Sequence, residues 1–447
     1  MNINFINIFI IIGLILIVLE FKTLKSNISY LLGMFLLLII ISNYDFLSTY
    51  LFNLSLWKLL FLILITISLI IIFELVEEKT FDVYCLLFLT YIGSFILIIS
   101  DNLLTTYLGL ELQTFSIFIL IAKNRSSIKS SEAGLKYFML GAISSGFYLL
   151  SLVILYLFGY TFELKDIMFF NEDLIIYISI TLILLSFSFK LSLFPFHFWI
   201  PDIYEGSSWD IVTLIATLPK ISVICLLIQI LINSNVMLSL CLCSIIIGTL
   251  GALNQTKLKR LLAYSGVSHM GFIILGYTIQ SNSSLTVGSM YLLIYMLITM
   301  SFLVLIINNN KKNNFIIELG ALKFTNKVLS ITIILIILSI AGVPPLSGFI
   351  SKWYLIWCSI ENQYIISSIL IILFSAIGMG YYLRLIKTVY FQKKGSYFFW
   401  EDILTKNNSR NDLTYLSLGF LFFINLFLLF NFSFVIEIIN YLFIYLH

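Results

Sequence analysis

Apolar runs of roughly 20 residues follow one another along this chain, from about residue 4 to about residue 444, with short polar stretches between them. A helix needs about 20 such residues to cross the hydrocarbon core of a bilayer. The expected fold is therefore all-α and integral to a membrane. Of the 447 residues, 61% are hydrophobic and 11% charged, and the mean hydropathy is +1.08. Soluble domains hold roughly 45–50% apolar and about 25% charged residues, so no soluble core needs to be found.

About fourteen transmembrane helices are expected, near 4–21, 29–43, 54–75, 82–100, 102–122, 133–159, 172–200, 207–233, 236–254, 261–280, 284–308, 327–358, 364–391 and 412–444. No Pro/Gly/Ser-rich linker and no large hydrophilic insert divides them, so residues 1–447 read as a single membrane domain. The opening MNINFINIFIIIGLILIVLEF has neither a basic n-region nor a small-residue cleavage site, and it reads as a retained first span. No Arg-rich transit peptide precedes it. An organelle protein of this kind would be made inside the organelle. The bias toward Ile, Phe, Asn, Lys and Tyr is that of an AT-rich genome. The cysteines at 85, 225, 241, 243 and 358 lie in apolar runs and read as small buried hydrophobes. The three histidines have no metal-ligand spacing.

Charge gives an orientation. Lys22 and Lys25 follow the first span; Lys123, Arg125 and Lys129 the fifth; Lys257, Lys259 and Arg260 the ninth; Lys311, Lys312, Lys323 and Lys327 the eleventh; and Lys393, Lys394, Lys406 and Arg410 the thirteenth. The opposite side holds Lys58, Lys165 and the acids Glu163, Asp166, Glu172 and Asp173. By the positive-inside rule every odd-to-even loop lies inside and both termini outside.

Two spans are interrupted. The seventh reads FSFKLSLFPFHFWIPD, with Pro195 and Pro201; the twelfth reads LSIAGVPPLSGFISKWYL, with Gly342, Pro344, Pro345 and Gly348. Proline removes a backbone donor and clashes with the preceding turn. Broken helices at membrane depth are tolerated where protein or internal water satisfies the freed groups. Two breaks five spans apart suggest two inverted five-helix repeats with discontinuous helices 7 and 12, roughly 82–233 and 236–391. The register is inexact, because Lys190 precedes its break and Lys352 follows its own.

Four charges stand inside apolar spans: Glu111, Lys190, Lys220 and Lys352. A charge at the bilayer centre costs at least ~2.5–3.5 kcal/mol. Burial disfavours the charged form of either group, and an opposite charge nearby restores it. A buried Glu–Lys pair can thus be switched, which is the minimum physics of a proton relay, and buried lysine readily becomes a general base. The competing reading is that these charges pair for structure or snorkel to an interface. His269 in LLAYSGVSHMGFIILG reads either as a packing residue or as a shuttle, with Tyr264, Ser265 and Ser268 nearby. His197 reads as a polar plug, Arg384 and Lys387 as snorkelling groups, Glu74 and Glu437 as interface anchors, and Gly134, Gly141 and Gly146 as helix-packing positions. There is no P-loop, dinucleotide fingerprint or iron–sulfur cysteine cluster. The expectation is a proton conductor driven from elsewhere that binds no cofactor and no metal itself.

EAGLKYFMLGAISSGFYLL (132–150), FKLSLFPFHFWIPDIYEGS (189–207), LPKIS (218–222), NQTKLKRLLAYSGVSHMGF (254–272) and AGVPPLSGFISKWYL (341–355) closely resemble the antiporter-like subunits of respiratory complex I, NADH:ubiquinone oxidoreductase. The resemblance covers about 100–390, with the antiporter-like core at 101–391. Lysine at 352, the PDIYEGS continuation and the end of the chain after one last span point to the branch of mitochondrial subunit 2 and bacterial subunit N. Ser207-Ser208-Trp209-Asp210 departs from that branch, which usually has proline here.

The resemblance implies fourteen helices and a proton relay of Glu111, Lys190, Lys220, His269 and Lys352, driven by quinone reduction elsewhere in the complex. It implies an enzyme subunit without its own redox site, in the mitochondrial inner membrane, with both termini on the intermembrane-space side. The implied partners are other membrane-arm subunits, including neighbouring antiporter-like subunits, and lipids; no nucleic acid and no direct NADH or quinone site is expected. A subunit of a cation/proton antiporter and a structural subunit without its own proton path stay as alternatives.

Overall fold

The computed structural model describes residues 55–76, 80–124, 126–159, 162–164, 174–230, 235–308, 315–321 and 327–391, and, nearer the end, 419, 421–425, 428 and 431–443. The expected spans at 4–21 and 29–43, and much of 412–444, lie outside these residues. Among the described residues the elements are helical, apart from two isolated bridges, Asn102 with Glu163 and Lys257 with Phe315.

The helices are α1 (Leu56–Leu75), α2 (Phe81–Ile99), α3 (Leu103–Ile121), α4 (Ile128–Gly159), α5 (Leu174–Lys190), α6 (Trp199–Gly206), α7 (Trp209–Ile230), α8 (Asn235–Leu253), α9 (Leu258–Thr278), α10 (Asn282–Asn308), α11 (Lys327–Ala341), α12 (Ser347–Glu361), α13 (Ile365–Ile386) and α14 (Phe432–Phe443). A short 3-10 helix, Ile316–Ala321, precedes α11, and a π turn, Lys387–Phe391, ends α13. Among the described residues, nine helices are long and apolar enough to cross a bilayer. Most boundaries fall within a few residues of expectation. Helix α4 starts at Ile128, not at 133, because hydropathy marks the lipid-crossing part of a helix and misses the polar first turns around Lys129 and Glu132.

Buried hydroxyls in these helices are satisfied locally. Ser68 donates to the Ile65 carbonyl, Thr90 to Leu87, Ser179 to Ile176 and Ser301 to Ile298. This back-bonding lets small polar residues sit in an apolar helix at little cost. Asn102 caps α3, its side chain accepting from the Leu104 N–H at 2.9 Å. The described residues divide into two compact units, one up to Leu238 together with the residues from Tyr441 on, and one from Ser239 to Asn440.

Each unit holds one broken helix, and both breaks close alike. At the end of α5, Leu193 N–H donates to the Ser188 carbonyl (2.8 Å) and Ser192 N–H to Phe189 (3.0 Å), with Ser192 at φ 60°. At the end of α11, Val343 N–H donates to Leu338 and Gly342 N–H to Ser339, both at 3.1 Å, with Gly342 at φ 81°. This is the Schellman pattern: a left-handed residue just past the helix folds the next two N–H groups back onto carbonyls of the last turn. A cis X–Pro bond follows each, Phe194–Pro195 and Pro344–Pro345. The chain resumes as α6 and α12. Pro201 does not break anything. It lies in the first turn of α6, where a missing N–H costs nothing. Pro219 is also accommodated, inside a continuous α7.

Small residues let the second break close. The Ser339 carbonyl occupies the place that a side chain at Gly348 would need, and a Cβ at Gly342 would meet Lys352 Cδ at 2.9 Å. Along α4, Gly134 packs on Ala122, whereas Gly141 and Gly146 have open space where a side chain would go. Among the described residues, close packing is seen at Gly134.

Gly342→Ala is expected to cost about 1–2 kcal/mol for the left-handed backbone and to push Lys352 aside. Ser192→Gly is expected to be neutral or stabilising. Thermal unfolding of the purified protein in detergent checks both.

Candidate functional site

The first unit holds three of the five expected residues. Glu111 stands mid-way along α3, half-buried, with the Thr114 hydroxyl donating to its Oε2 at 3.4 Å. Lys190 ends α5. Its stem is buried, and its Nζ lies 5.5 Å from the Phe189 ring centroid and 6.0 Å from that of Tyr137. Trp199 packs against both rings and donates its indole N–H to the Phe189 carbonyl at 3.1 Å. The break thus folds α6 back so that an aromatic wall surrounds the ammonium, and such faces attract cations. The Glu111 carboxylate acts electrostatically on Lys190, Tyr137 and Tyr107. Among the described residues it does not form an ion pair with Lys190; the ion pairs there include Lys58–Asp101, Lys129–Glu205 and Lys136 with Glu132 and Asp202. The two groups feel each other without touching.

Lys220 lies deep in α7, 1% exposed, and among the described residues its Nζ has no hydrogen-bond partner. A buried ammonium without an acceptor is costly. Gln113, two residues past Glu111, donates to the Ser222 hydroxyl at 3.4 Å, two residues past Lys220. Its side-chain oxygen is likewise buried without a partner. This amide ties the glutamate helix to the lysine helix.

Lys58 departs from expectation. It is not a loop charge but a buried residue in the first turn of α1, held by Asp101 at 2.8 Å. The Gln229 amide, turned so that its oxygen accepts from Lys58 at 3.0 Å, donates to the Ser100 carbonyl at 3.1 Å. A carboxylate and an amide from two other helix ends make burial of this cation tolerable. His197 plugs the α5–α6 break as expected, 3% exposed with its ring 4.2 Å from that of Phe198.

The second unit holds His269 and Lys352. Lys352, on α12, reaches back across the break and donates to the Ala341 carbonyl at 2.8 Å and the Ile340 carbonyl at 3.4 Å. These are carbonyls at the end of α11 that the Schellman turn leaves free. The inexact register of the two lysines has a physical meaning here. Lys190 sits in the last turn of its half-helix, and Lys352 arrives at the same kind of end from outside. Both put a cation at a helix C-terminus, where the macrodipole favours it.

His269, on α9, is buried and held on both ring nitrogens, Nδ1 by the Tyr291 hydroxyl (2.9 Å) and Nε2 by the Tyr382 hydroxyl (3.1 Å). Tyr295 stacks on the imidazole at 5.0 Å. Tyr291, Tyr295, Ser351, His269 and Lys352 line one cavity of about 10 Å³, at the threshold for one water. Arg384 is tied to backbone carbonyls of the α8–α9 turn. Its guanidinium donates to the Leu253 carbonyl at 2.9 Å and the Gln255 carbonyl at 2.6 Å.

Sequence reasoning missed the aromatic partners: Tyr137 beside Lys190, and Tyr291, Tyr295, Tyr381 and Tyr382 around His269. A signal existed in part. Tyr291 and Tyr295 are four apart, hence on one face of a helix. Nothing in the sequence says which helix that face meets.

The transmembrane family described as NADH:quinone oxidoreductase/Mrp antiporter matches residues 100–378, a stretch holding all five residues. NADH-ubiquinone oxidoreductase chain 2 of Metridium senile is 40% identical over 318 residues, covering 69% of this chain and 82% of that one. NADH-quinone oxidoreductase subunit N 1 of Rhizobium meliloti is 33% identical over 330 residues, covering 70% and 69%. A chain of respiratory complex I from Thermus thermophilus with bound aureothin has the same fold, with a TM-score of 0.84 at 23% identity over 98% of this chain and 99% of that one. This chain belongs to the NADH:quinone oxidoreductase/Mrp antiporter transmembrane family.

Proposed function

We propose that the chain is a proton-translocating membrane-arm subunit of NADH:ubiquinone oxidoreductase, the counterpart of chain 2 and of subunit N, in the mitochondrial inner membrane. Electron transport from NADH to ubiquinone takes place elsewhere in the complex, and this chain binds no cofactor and carries no redox site. The likeness to chain 2 of Metridium senile supports the assignment to that enzyme. One observation carries the proton path: Lys190, Lys220 and Lys352 are buried, and among the described residues none has a carboxylate at ion-pair distance. Unpaired buried cations cost several kcal/mol each, which a purely structural scaffold has no reason to bear.

In this reading Glu111 is the switch. When its carboxylate approaches Lys190 the ammonium is held; when it withdraws, Lys190 hands its proton toward Lys220. Gln113 keeps the two helices in register during that exchange. In the second unit His269 and Lys352 form the other half of the relay. Lys352 is the cation that alternates between the α11 carbonyls and the cavity it shares with His269. The charge pattern of the loops supports termini on the intermembrane-space side. Helices α4 and α13 expose apolar rows, Leu135, Met139 and Ile143 on one and Ile366, Ile369 and Leu373 on the other. These suit lipid and neighbouring membrane-arm subunits.

The family's inclusion of Mrp antiporters keeps a second reading open, a subunit of a cation/proton antiporter. Native-gel separation decides between them. Co-migration with NADH dehydrogenase activity is expected, and migration apart from it favours the antiporter.

Lys190→Ala is expected to lower proton uptake per NADH oxidised by about tenfold or more in an assembled, reconstituted complex, the scale of losing one acid–base group. An unchanged proton yield overturns the relay. Lys220→Met is expected to do the same. Normal pumping in that variant, with assembly intact, would assign Lys220 a structural role.

A further inference from the structure

The surroundings of His269 are more specific than a packing role needs. A neutral imidazole has one N–H and one bare nitrogen. Here both positions face a tyrosine hydroxyl, Tyr291 on the Nδ1 side and Tyr382 on the Nε2 side. A hydroxyl can donate or accept as it turns, so either tautomer is fully bonded in the same arrangement of heavy atoms. All three side chains are buried.

The two tyrosines lead to different places. Tyr291 lines the small cavity that Lys352 also lines. Tyr382 reaches Ser265 and Tyr381, and Tyr381 reaches Ser268. Ser265 lies one turn from His269 toward the end of α9 that carries Lys259 and Arg260. The imidazole therefore stands between a lysine-lined cavity and a file of hydroxyls that runs toward a basic helix end.

We propose that Tyr382 is a proton-carrying residue of this chain: with Tyr291 it makes His269 a two-sided switch that passes protons between the Lys352 cavity and Ser265. The inference rests on the proton-translocating reading above and names the inside-facing entry to its second half.

The step balances without any redox partner. The Tyr382 hydroxyl proton moves to a bare Nε2 as the Ser265 hydroxyl proton moves to the Tyr382 oxygen, and Ser265 is refilled from water at the basic, inside end of α9. The ring is then an imidazolium. Its Nδ1 proton moves to the Tyr291 oxygen as the Tyr291 hydroxyl proton moves across the cavity to the neutral amine of Lys352. Each hydroxyl ends with one proton, the ring ends neutral in the other tautomer, and Lys352 has gained one proton. Turning the hydroxyls and exchanging the tautomer resets the path.

The test uses the whole complex reconstituted in vesicles, with proton uptake measured per NADH oxidised and assembly checked on native gels. Tyr382→Phe keeps the ring and deletes the hydroxyl. It is expected to lower uptake about tenfold or more, matching His269→Ala, while Tyr354→Phe, on the outer side of α12 against Phe432, changes nothing. Loss in His269→Ala with normal uptake in Tyr382→Phe overturns this inference and leaves the relay standing. Normal uptake in both overturns the relay reading itself. Should Tyr382→Phe fail to assemble, Ser265→Ala decides: reduced uptake supports the hydroxyl file, and normal uptake overturns it.

Discussion

A helix that stops inside a membrane leaves carbonyls facing a solvent that cannot bond to them. The rest of this structure follows from how that is resolved at two places. Each interrupted span turns its first two free N–H groups back onto the last turn, around Ser192 in one unit and Gly342 in the other. What those turns leave over is a pair of terminal carbonyls and the negative end of a helix dipole. Lysine supplies the missing positive charge, from within the helix at 190 and from across the gap at 352. A cation placed at such an end is also placed where losing its proton alters the electrostatics of the break. In the proposed relay, capping and carrying become one role.

Much of this was legible in the chain itself, for reasons that can be named. Hydropathy located the helices because lipid imposes a length on them. Prolines located the breaks, since Pro195 and Pro345 cannot continue a helix. The buried charges were visible because a lysine in an apolar run is conspicuous. Pairing was not legible. Lys58 read only as a charge on the outer side because Asp101, 43 residues away, gives no local sign of meeting it. Arg384 looked like a snorkelling group because its acceptors are carbonyls, which every residue has. Pro201 looked like a second breaker because its tolerated position in the first turn of α6 depends on where that helix starts.

The tyrosines show the limit most clearly. Hydropathy scores count Tyr as nearly neutral filler in an apolar span, and 25 of them are spread along the chain. What separates Tyr291 and Tyr382 from the others is that two helices, α10 and α13, aim them at opposite edges of one imidazole. Adjacency of that kind is a property of packed helices. The resemblance to the complex I subunits carried His269 into the set by motif, without any statement of what would hold its ring. In the first unit the same limit hid Tyr137 and Gln113, which flank Lys190 and link α3 to α7.

The Arg384 clasp has a mechanical consequence. By gripping the end of α8 and the turn that begins α9, it fixes the axial position of α13 against the strand of chain that leads into the histidine helix. Two residues upstream on α13 is Tyr382. A slip of one turn, about 5.4 Å along the axis, would carry its hydroxyl out of contact with the imidazole. The guanidinium therefore works as an indexing pin, holding the helix at the one notch where ring and phenol meet.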